Sequence, residues 1–517
     1  MNAAREESWI WTELLAFDCA RPDYGVAGYI RRVGYAPHGV SLLLAHQDFI
    51  LLHKGMDTEY ELFPDVCSRQ GHDYNEERER QRWTNFQLLG LIKGLQKHGV
   101  KVFVSIFREN LHNQFHHEWL TDHPGIGFLS RLEDGETFFE DLFVGKLQEV
   151  VSDYGFDGWH AADAQCPAMP INYGPSEYLA DDIFFQFAEH LGKERLDAKY
   201  LQRFDVPIEN LEKKHERLSY VWHNFKHEWM DFISSRWESL HAKATATLHG
   251  MGKEIMLNSC VTQSVFESMF YYGLDTRRLA AIGIDYFIVE TVATSFALIY
   301  ADKGELFNFA ASMAELKAAL PNVKLIMLTP VKDVVESFNS IRHAPHRLER
   351  DFYFIANQTI AGKAGDKRCA DGFMICLGDG IPENEWKILA AIRDLAYSFE
   401  IAETEGFVWL SDNAVFDAMR SDHERHGTLP PYLKIAQLLM RGNEISCVCS
   451  PEDLDKVKDR PLVVPSYDLI APELKQKMLE RKKLTALIGN FHGASIPENA
   501  AALFCRLSDE YNLAVFC

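Results

Sequence analysis

Residues 155–167, GFDGWHAADAQCP, decide the reading of the fold. They follow an amphipathic run, FFEDLFVGKLQEVVSDY, that stops at Gly155. A glycine at a helix exit is the usual left-handed cap. A short strand-like piece, 156–162, comes next, then the carboxylate Asp163, then a loop with Cys166 and Pro167. A helix feeding a strand that ends in an acid is one βα unit of a (β/α)8 barrel, and side chains at such strand ends line the barrel mouth. An ordinary parallel strand whose polar residues cap the next loop would read the same locally, so the rest of the chain must arbitrate.

It does so by repetition. Strand-like runs stand at 9–17, near 40–45, and at VKVFVSIF (100–107) before the quoted stretch. EIMLNSC (254–260), IDYFIVET (284–291), VKLIMLTP (323–330) and DGFMICLGDG (371–380) follow it. Helical runs with apolar residues at three- and four-residue spacing separate them, FQLLGLIKGLQKHG and ELFNFAASMAELKAALPN among them. A long helical region precedes the fifth strand. Eight alternations in roughly 400 residues predict one α/β TIM barrel with long loops. An open doubly wound sheet would need a glycine-rich phosphate fingerprint at its first turn, which this sequence lacks.

The pattern restarts after Gly406. FVWLSDNA and NEISCVC read as strands, with PPYLKIAQLLMRG as a helix between them. RPLVVPSYDLIAPELKQKMLERKKLTALIGNF reads as strand, turn, helix, strand. The expected organisation is a barrel over 1–405 and a small doubly wound α/β domain over 406–517, short or truncated at its strand-like end LAVFC. No internal repeat and no low-complexity segment are evident.

Bulk properties narrow the class. Of 517 residues 47% are hydrophobic and 25% charged, an ordinary globular balance. The net charge of −22 repels polyanions, which argues against nucleic acid or an anionic membrane surface as partner. Ten scattered cysteines form no disulfide framework, and Cys447 and Cys449 lack the second pair a zinc site needs. No apolar run is long enough to span a bilayer, and the opening MNAAREESWIW lacks the order of a signal peptide. A cytoplasmic protein without metal or organic cofactor is expected.

Two acids stand out at predicted strand ends, Asp163 after the fourth strand and Glu290 after the sixth. Glu290 follows the apolar IDYFIV with no basic neighbour in sequence. Two carboxyls from different strands converging on one mouth are what glycoside hydrolysis needs. Asp157, early in its strand beside Gly158, is the rival to Asp163 and more naturally braces the barrel. The segment RENLHNQFHHEWLTDHPG (108–125) carries Arg108, Asn110, His112, His116, His117, Trp119 and His123. It lacks the glutamate between paired histidines that marks helical zinc proteases, and a polar aromatic loop suits sugar rings and hydroxyls. Trp159 and His160 are candidates to flank a sugar ring, with outward packing of Trp159 against a helix as the other reading. Arg108 and Asn258 are candidate donors to hydroxyls or to a carboxylate.

At this point the chain resembles a family. A barrel with acids after strands four and six or seven is similar to the retaining (β/α)8 glycosidases. VVPSYDLIAPELKQKMLERK (463–482) resembles the amidotransferase-like trimerisation domain of family 42 β-galactosidases and of multidomain β-mannosidases. The resemblance implies a glycosidase of the β-galactoside or β-mannoside type that works by double displacement. Together with the residues read above, the expected site has Glu290 as nucleophile and Asp163 as acid/base, with Arg108, Asn110, His117, Trp159, His160 and Asn258 around the substrate. A homo-oligomer, dimer or trimer, is also implied. The sequence departs from the family at WHAADAQ, where an Asn-Glu pair is usual, and in carrying its glutamate on strand six rather than seven. An α-galactosidase-like assignment, with Asp163 as nucleophile and Glu290 as acid/base, therefore stays open. So do a non-catalytic carbohydrate-binding barrel and a metal-dependent barrel enzyme that uses the histidine loop.

Overall fold

In the computed structural model the parallel strands close on themselves in the order they occur in the chain. β1 (Glu7–Glu13), β2 (Gly39–Leu43), β3 (Lys101–Ile106) and β4 (Gly158–Ala161) form one half. β5 (Glu254–Asn258), β6 (Tyr286–Val289) and β7 (Lys324–Pro330) continue it. The circuit then passes over the short strands β8 (Thr359–Ile360) and β9 (Lys367–Arg368) and ends with β10 (Gly372–Cys376). β10 pairs with β7 on one side and β1 on the other, Trp9 opposite Met374 and Trp11 opposite Cys376. The eight predicted strands are thus the eight barrel strands, and the TIM barrel stands as a direct observation. The described residues are 6–44, 47–62, 81–106, 129–132, 134–165, 180–204, 210–259, 265–290, 305–332, 339–362, 365–402, 406–426, 445, 447–481, 485–489, 503–506 and 512–516.

The bottom of the barrel is stitched at every second strand. Asp157, Asp285 and Asp371 each stand one residue before β4, β6 and β10. Each accepts the backbone N–H of the second residue of the preceding strand, from Val102, Ile255 and Leu325, at 2.9 Å in all three cases. Each also pairs its own peptide with the strands on both sides. His38 holds the same place before β2, its N–H on Ser8 and its carbonyl taken by Lys101. Asp157 therefore braces the barrel end opposite the one that carries Glu290. The repeat lies in the order GFDG, GIDY, CADG, too short to register as an internal repeat in the sequence.

What fills the lumen follows from this spacing. Three of the four residues after those stitches are glycine. A Cβ on Gly39 would lie 2.2 Å from the Trp9 ring, and one on Gly158 would lie 2.4 Å from the Glu254 carbonyl oxygen. Their absence admits Trp9 and Phe103, which meet edge to face with ring centres 4.9 Å apart. Tyr286 takes the fourth place and packs on Trp9 at 5.2 Å. Layers contributed by alternate strands are the usual way such a barrel is filled. Above this aromatic plug the interior continues with Trp11, Leu43, Met256, Ile288, Ile326, Leu328, Met374 and Cys376, all buried.

The second sheet has the order β15-β16-β14-β13-β11-β12-β8-β9. Its members after the barrel are β11 (Val408–Leu410), β12 (Cys447–Cys449), β13 (Leu462–Val464), β14 (Thr485–Gly489), β15 (Leu503–Arg506) and β16 (Asn512–Phe516). From β8 through β14 the pairing is parallel, and the edge pairs β8–β9, β14–β16 and β15–β16 are antiparallel. The sheet is mixed, and β8 and β9 join it from within the segment read from sequence as barrel. The helix Pro472–Leu479 begins with proline at its first turn, where no backbone donor is required. Among the described residues no helix is long and apolar enough to cross a membrane.

Candidate active site at the barrel mouth

Alternation along β4, β5 and β6 fixes which side chains enter the lumen. On β4, His160 points in and Trp159 points out. On β5, Met256 and Asn258 point in. On β6, Tyr286 and Ile288 point in, so Glu290, one residue past the strand, follows them at the C-terminal mouth. Among the described residues, four polar side chains of this lumen touch in series. Ser41 Oγ lies 2.6 Å from His160 Nδ1. His160 Nε2 meets Asn258 Oδ1 in a short contact. Asn258 Nδ2 donates to Glu290 Oε2 at 2.7 Å. Ser41, His160 and Asn258 are fully buried, and Glu290 is 5% exposed.

Hydrogen-bond chemistry fixes the direction of the series. A carboxylate only accepts, so the Asn258 amide must turn its N–H₂ to Glu290 and its oxygen to His160. His160 then carries its proton on Nε2, and Nδ1 accepts from the Ser41 hydroxyl. That is the neutral tautomer. Burial holds the His160 pKa down to about 4, against the opposing effect of the Asn258 hydrogen bond. The ring keeps this one protonation state across the neutral range. Trp11, whose Nε1–H donates to Ser105 Oγ at 3.1 Å, packs its ring 4.8 Å from His160 and closes the floor beneath the series.

The backbone of Glu290 is fixed as firmly as its side chain. Its N–H donates to Ser259 Oγ at 2.8 Å, and the same hydroxyl donates to its carbonyl oxygen at 2.9 Å. The result is one acid held at a barrel mouth by β2, β4, β5 and β6 together. His160→Leu is expected to leave Asn258 Oδ1 and Ser41 Oγ buried without partners. The cost is about 1–3 kcal/mol for each orphaned group. A lower urea midpoint at unchanged slope checks it, and an unchanged midpoint would mean that the series does not hold the mouth together.

The other predicted site residues separate. Asp163 lies in the 3-10 turn Ala162–Gln165, directly after β4, and its side chain is outside the described residues. The turn itself is pinned. Gln165 donates to the carbonyls of Ile106 and Ala162 at 2.7 and 3.1 Å, and His241 Nε2 lies 3.0 Å from the Ala164 carbonyl. His241 too is kept neutral by burial, its pKa pushed down to about 4. Trp159 requires a correction. It is buried outside the barrel wall against Phe143 and His241, with ring centres 5.6 and 6.1 Å away, and it packs helix to strand rather than flanking a ligand. The reason is parity, since its neighbour His160 takes the inward face. His160 is fully buried in the lumen between Ser41 and Asn258. Arg108, Asn110 and His117, with the rest of the histidine segment, lie outside the described residues.

Reasoning from sequence missed Ser41, Ser259 and Glu13. Glu13 ends β1 and is 1% exposed. A signal for it was present in WIWTE: if Trp9 and Trp11 face inward, so does the residue two further on.

Neither a scan against protein-family models nor a search of curated proteins gives a match. Among solved structures, the glycoside hydrolase domain of PgaB (BpsB) from Bordetella bronchiseptica is similar at 12% identity and a TM-score of 0.43, over 77% of this chain and 100% of that one. Gan42B, a GH42 β-galactosidase from G. stearothermophilus, is similar at 11% identity and a TM-score of 0.48, over 93% of this chain and 70% of that one. A chitinase from Rhizomucor miehei is similar at 12% identity and a TM-score of 0.39, over 75% and 100%. These likenesses are distant, and the chemistry of the mouth is read from its own geometry.

Proposed function

We propose that this chain is a retaining glycoside hydrolase acting on a neutral glycoside or oligosaccharide of the β-galactoside or β-mannoside type. The observation that carries the reading is Glu290, held at the mouth of a closed barrel by Asn258, His160 and Ser41. Asn258 presents an N–H to Glu290, which stabilises negative charge on the carboxylate. An attacking carboxylate needs that; a proton donor does not. This favours Glu290 as nucleophile over the exchanged, α-galactosidase-like assignment.

The chemistry runs in two displacements. Glu290 attacks the anomeric carbon while Asp163 gives its proton to the departing glycosidic oxygen, leaving a glycosyl ester on Glu290. Asp163 then takes a proton from water, the water oxygen bonds to the anomeric carbon, and Glu290 leaves as carboxylate. Arg108, Asn110 and His117 would contact the substrate from the loop after β3. We further propose a cytoplasmic homo-oligomer that works without metal or organic cofactor.

A panel of aryl glycosides followed by covalent trapping tests this. A 2-deoxy-2-fluoro glycoside with a good leaving group slows the second displacement and leaves the sugar on the nucleophile. Peptide mapping is expected to find the label on Glu290. A label on Asp163 would exchange the two roles. Binding of sugars with no turnover of any glycoside would point instead to a carbohydrate-binding barrel.

A further inference from the structure

Apolar side chains gather on one outer face of the barrel. Among the described residues six large apolar side chains stand exposed, and four of them share this face: Tyr353, Ile388, Leu395 and Phe399. They come from two helices, Pro345–Ala356 and Glu383–Ala396, and from the chain just after the second. The helices pack side by side and run the same way, as successive helices around such a barrel do. Their C-terminal ends meet where Asn357, the cap of the first, donates from Nδ2 to the Ala396 carbonyl at 3.4 Å. Tyr353 and Phe399 meet across the pair with ring centres 6.1 Å apart. Each helix already buries one stripe, Leu348, Phe352 and Ile355 on the first and Trp386, Leu389 and Ile392 on the second. Ile388, Ala391 and Leu395 follow one another at spacings of three and four on the second helix, all exposed. They form a second apolar stripe that the barrel does not use.

We propose that this face is the contact between two copies of the chain, joined across a two-fold axis through the middle of the exposed stripe. The inference rests on the reading of the protein as a homo-oligomer and names its interface. A two-fold contact is self-complementary: a residue that meets a second residue on the partner is met by the first through the same pair. A net charge of −22 on each copy opposes association, so such a contact needs opposite charges matched locally. The edges of this face supply them. Arg350 is 48% exposed on the first helix, and Asp351, the carboxylate it pairs with, is buried. Asp394 is 68% exposed on the second helix, and its partner Arg393 is largely covered. At 1.5 Å per residue Arg350 stands about 10.5 Å above the level where the helices end together, and Asp394 about 3 Å, so their midpoint lies at about 7 Å. Ile388 and Leu395, at about 12 and about 1.5 Å, have the same midpoint, and Ala391 stands beside it. A two-fold axis at that point lays Arg350 on Asp394 of the partner subunit at both edges. Between those two pairs it lays the apolar stripe on its own copy.

Sedimentation equilibrium of the full chain tests this. The parent is expected to be a dimer. Ile388→Lys combined with Leu395→Lys is expected to weaken association at least about 100-fold, because it puts four charges into the centre of the contact. Both positions face solvent in the single chain, so the circular dichroism spectrum should not change. Arg350→Glu alone and Asp394→Arg alone each set like charges together, and each is expected to weaken the dimer about 10-fold. The two combined exchange the charges and should restore association to within about threefold of the parent. Ala391→Cys stands close to the axis, and a short bis-maleimide should couple two copies through it beyond anything seen with the parent. That coupling reads the contact even if a charged variant folds poorly. A dimer that is indifferent to the two lysines and is not coupled through Ala391→Cys would overturn this interface alone. So would a trimer, which has no two-fold axis. Loss of the dimer with the lysines but no recovery on charge exchange would overturn the two-fold placement. A parent that stays monomeric at about 100 μM would overturn the homo-oligomer reading and this interface with it, and would leave the stripe to a different partner.

Discussion

Glu290→Gln is expected to turn over an aryl glycoside about four to six orders of magnitude more slowly than the parent, with the fold intact. That range is typical for removal of an attacking group. The amide keeps the volume of the carboxylate and an oxygen for Asn258 to donate to. A circular dichroism spectrum and a urea midpoint close to those of the parent are therefore expected. Glu290→Ala extends the test. It opens a space where the carboxylate stood, and azide, a small anion, can attack the anomeric carbon from it. The product is a glycosyl azide of inverted configuration, and its formation at a rate rising with azide identifies the missing group as the nucleophile. Full activity in Glu290→Gln would remove Glu290 from the chemistry and leave only the barrel. His160 enters the same experiment as a positioning group. His160→Leu should lower kcat more than it changes KM, because Asn258 would lose the partner that fixes its orientation toward Glu290.

The second large effect lies away from the mouth, where the helix Glu305–Ala319 meets the end of β11. Glu315 is buried there, one carboxyl oxygen taken by the Ser411 hydroxyl and the other, Oε1, without a hydrogen-bond partner among the described residues. Burial raises its pKa to about 8, with a further push from Asp412, whose own carboxyl is raised by burial. In the unfolded chain the same group ionises near the ordinary glutamate value of about 4.3. Below that value both states hold the proton and its contribution to stability is fully present. Between about 4.3 and about 8 the unfolded chain has released the proton and the folded protein has not. Unfolding free energy then falls with pH at up to about 1.4 kcal/mol per unit. Above about 8 both are ionised and the slope vanishes. Glu315→Gln cannot ionise and still offers an oxygen to Ser411. It is expected to flatten this dependence, with little gain at pH 5 and a clearly higher urea midpoint at pH 8. Parallel curves for parent and variant from pH 5 to 8 would show that Glu315 is ionised in the fold.

Much of this architecture was legible in the chain. Runs such as IDYFIV and VKLIMLT are apolar on both faces, as strands buried between a lumen and a ring of helices must be. Their spacing, with a helix between each pair, allowed one closed parallel sheet and picked out Glu290 as an acid at a strand end. The hairpin 359–368 escaped, because strands of two residues carry no period to read.

The sequence by itself determined the eight-strand alternation, the acids at strand ends and Asp157 as a brace of the barrel. The same two-sided apolarity that marks these strands hides which parity faces in. Alternation separates Trp159 from His160 but cannot say which of them enters the lumen. Only closure of the barrel decided that, by setting His160 against Ser41 from 119 positions earlier and Asn258 from 98 later. Contacts of that range depend on register around the whole circuit, a property of all eight strands together that no local stretch encodes.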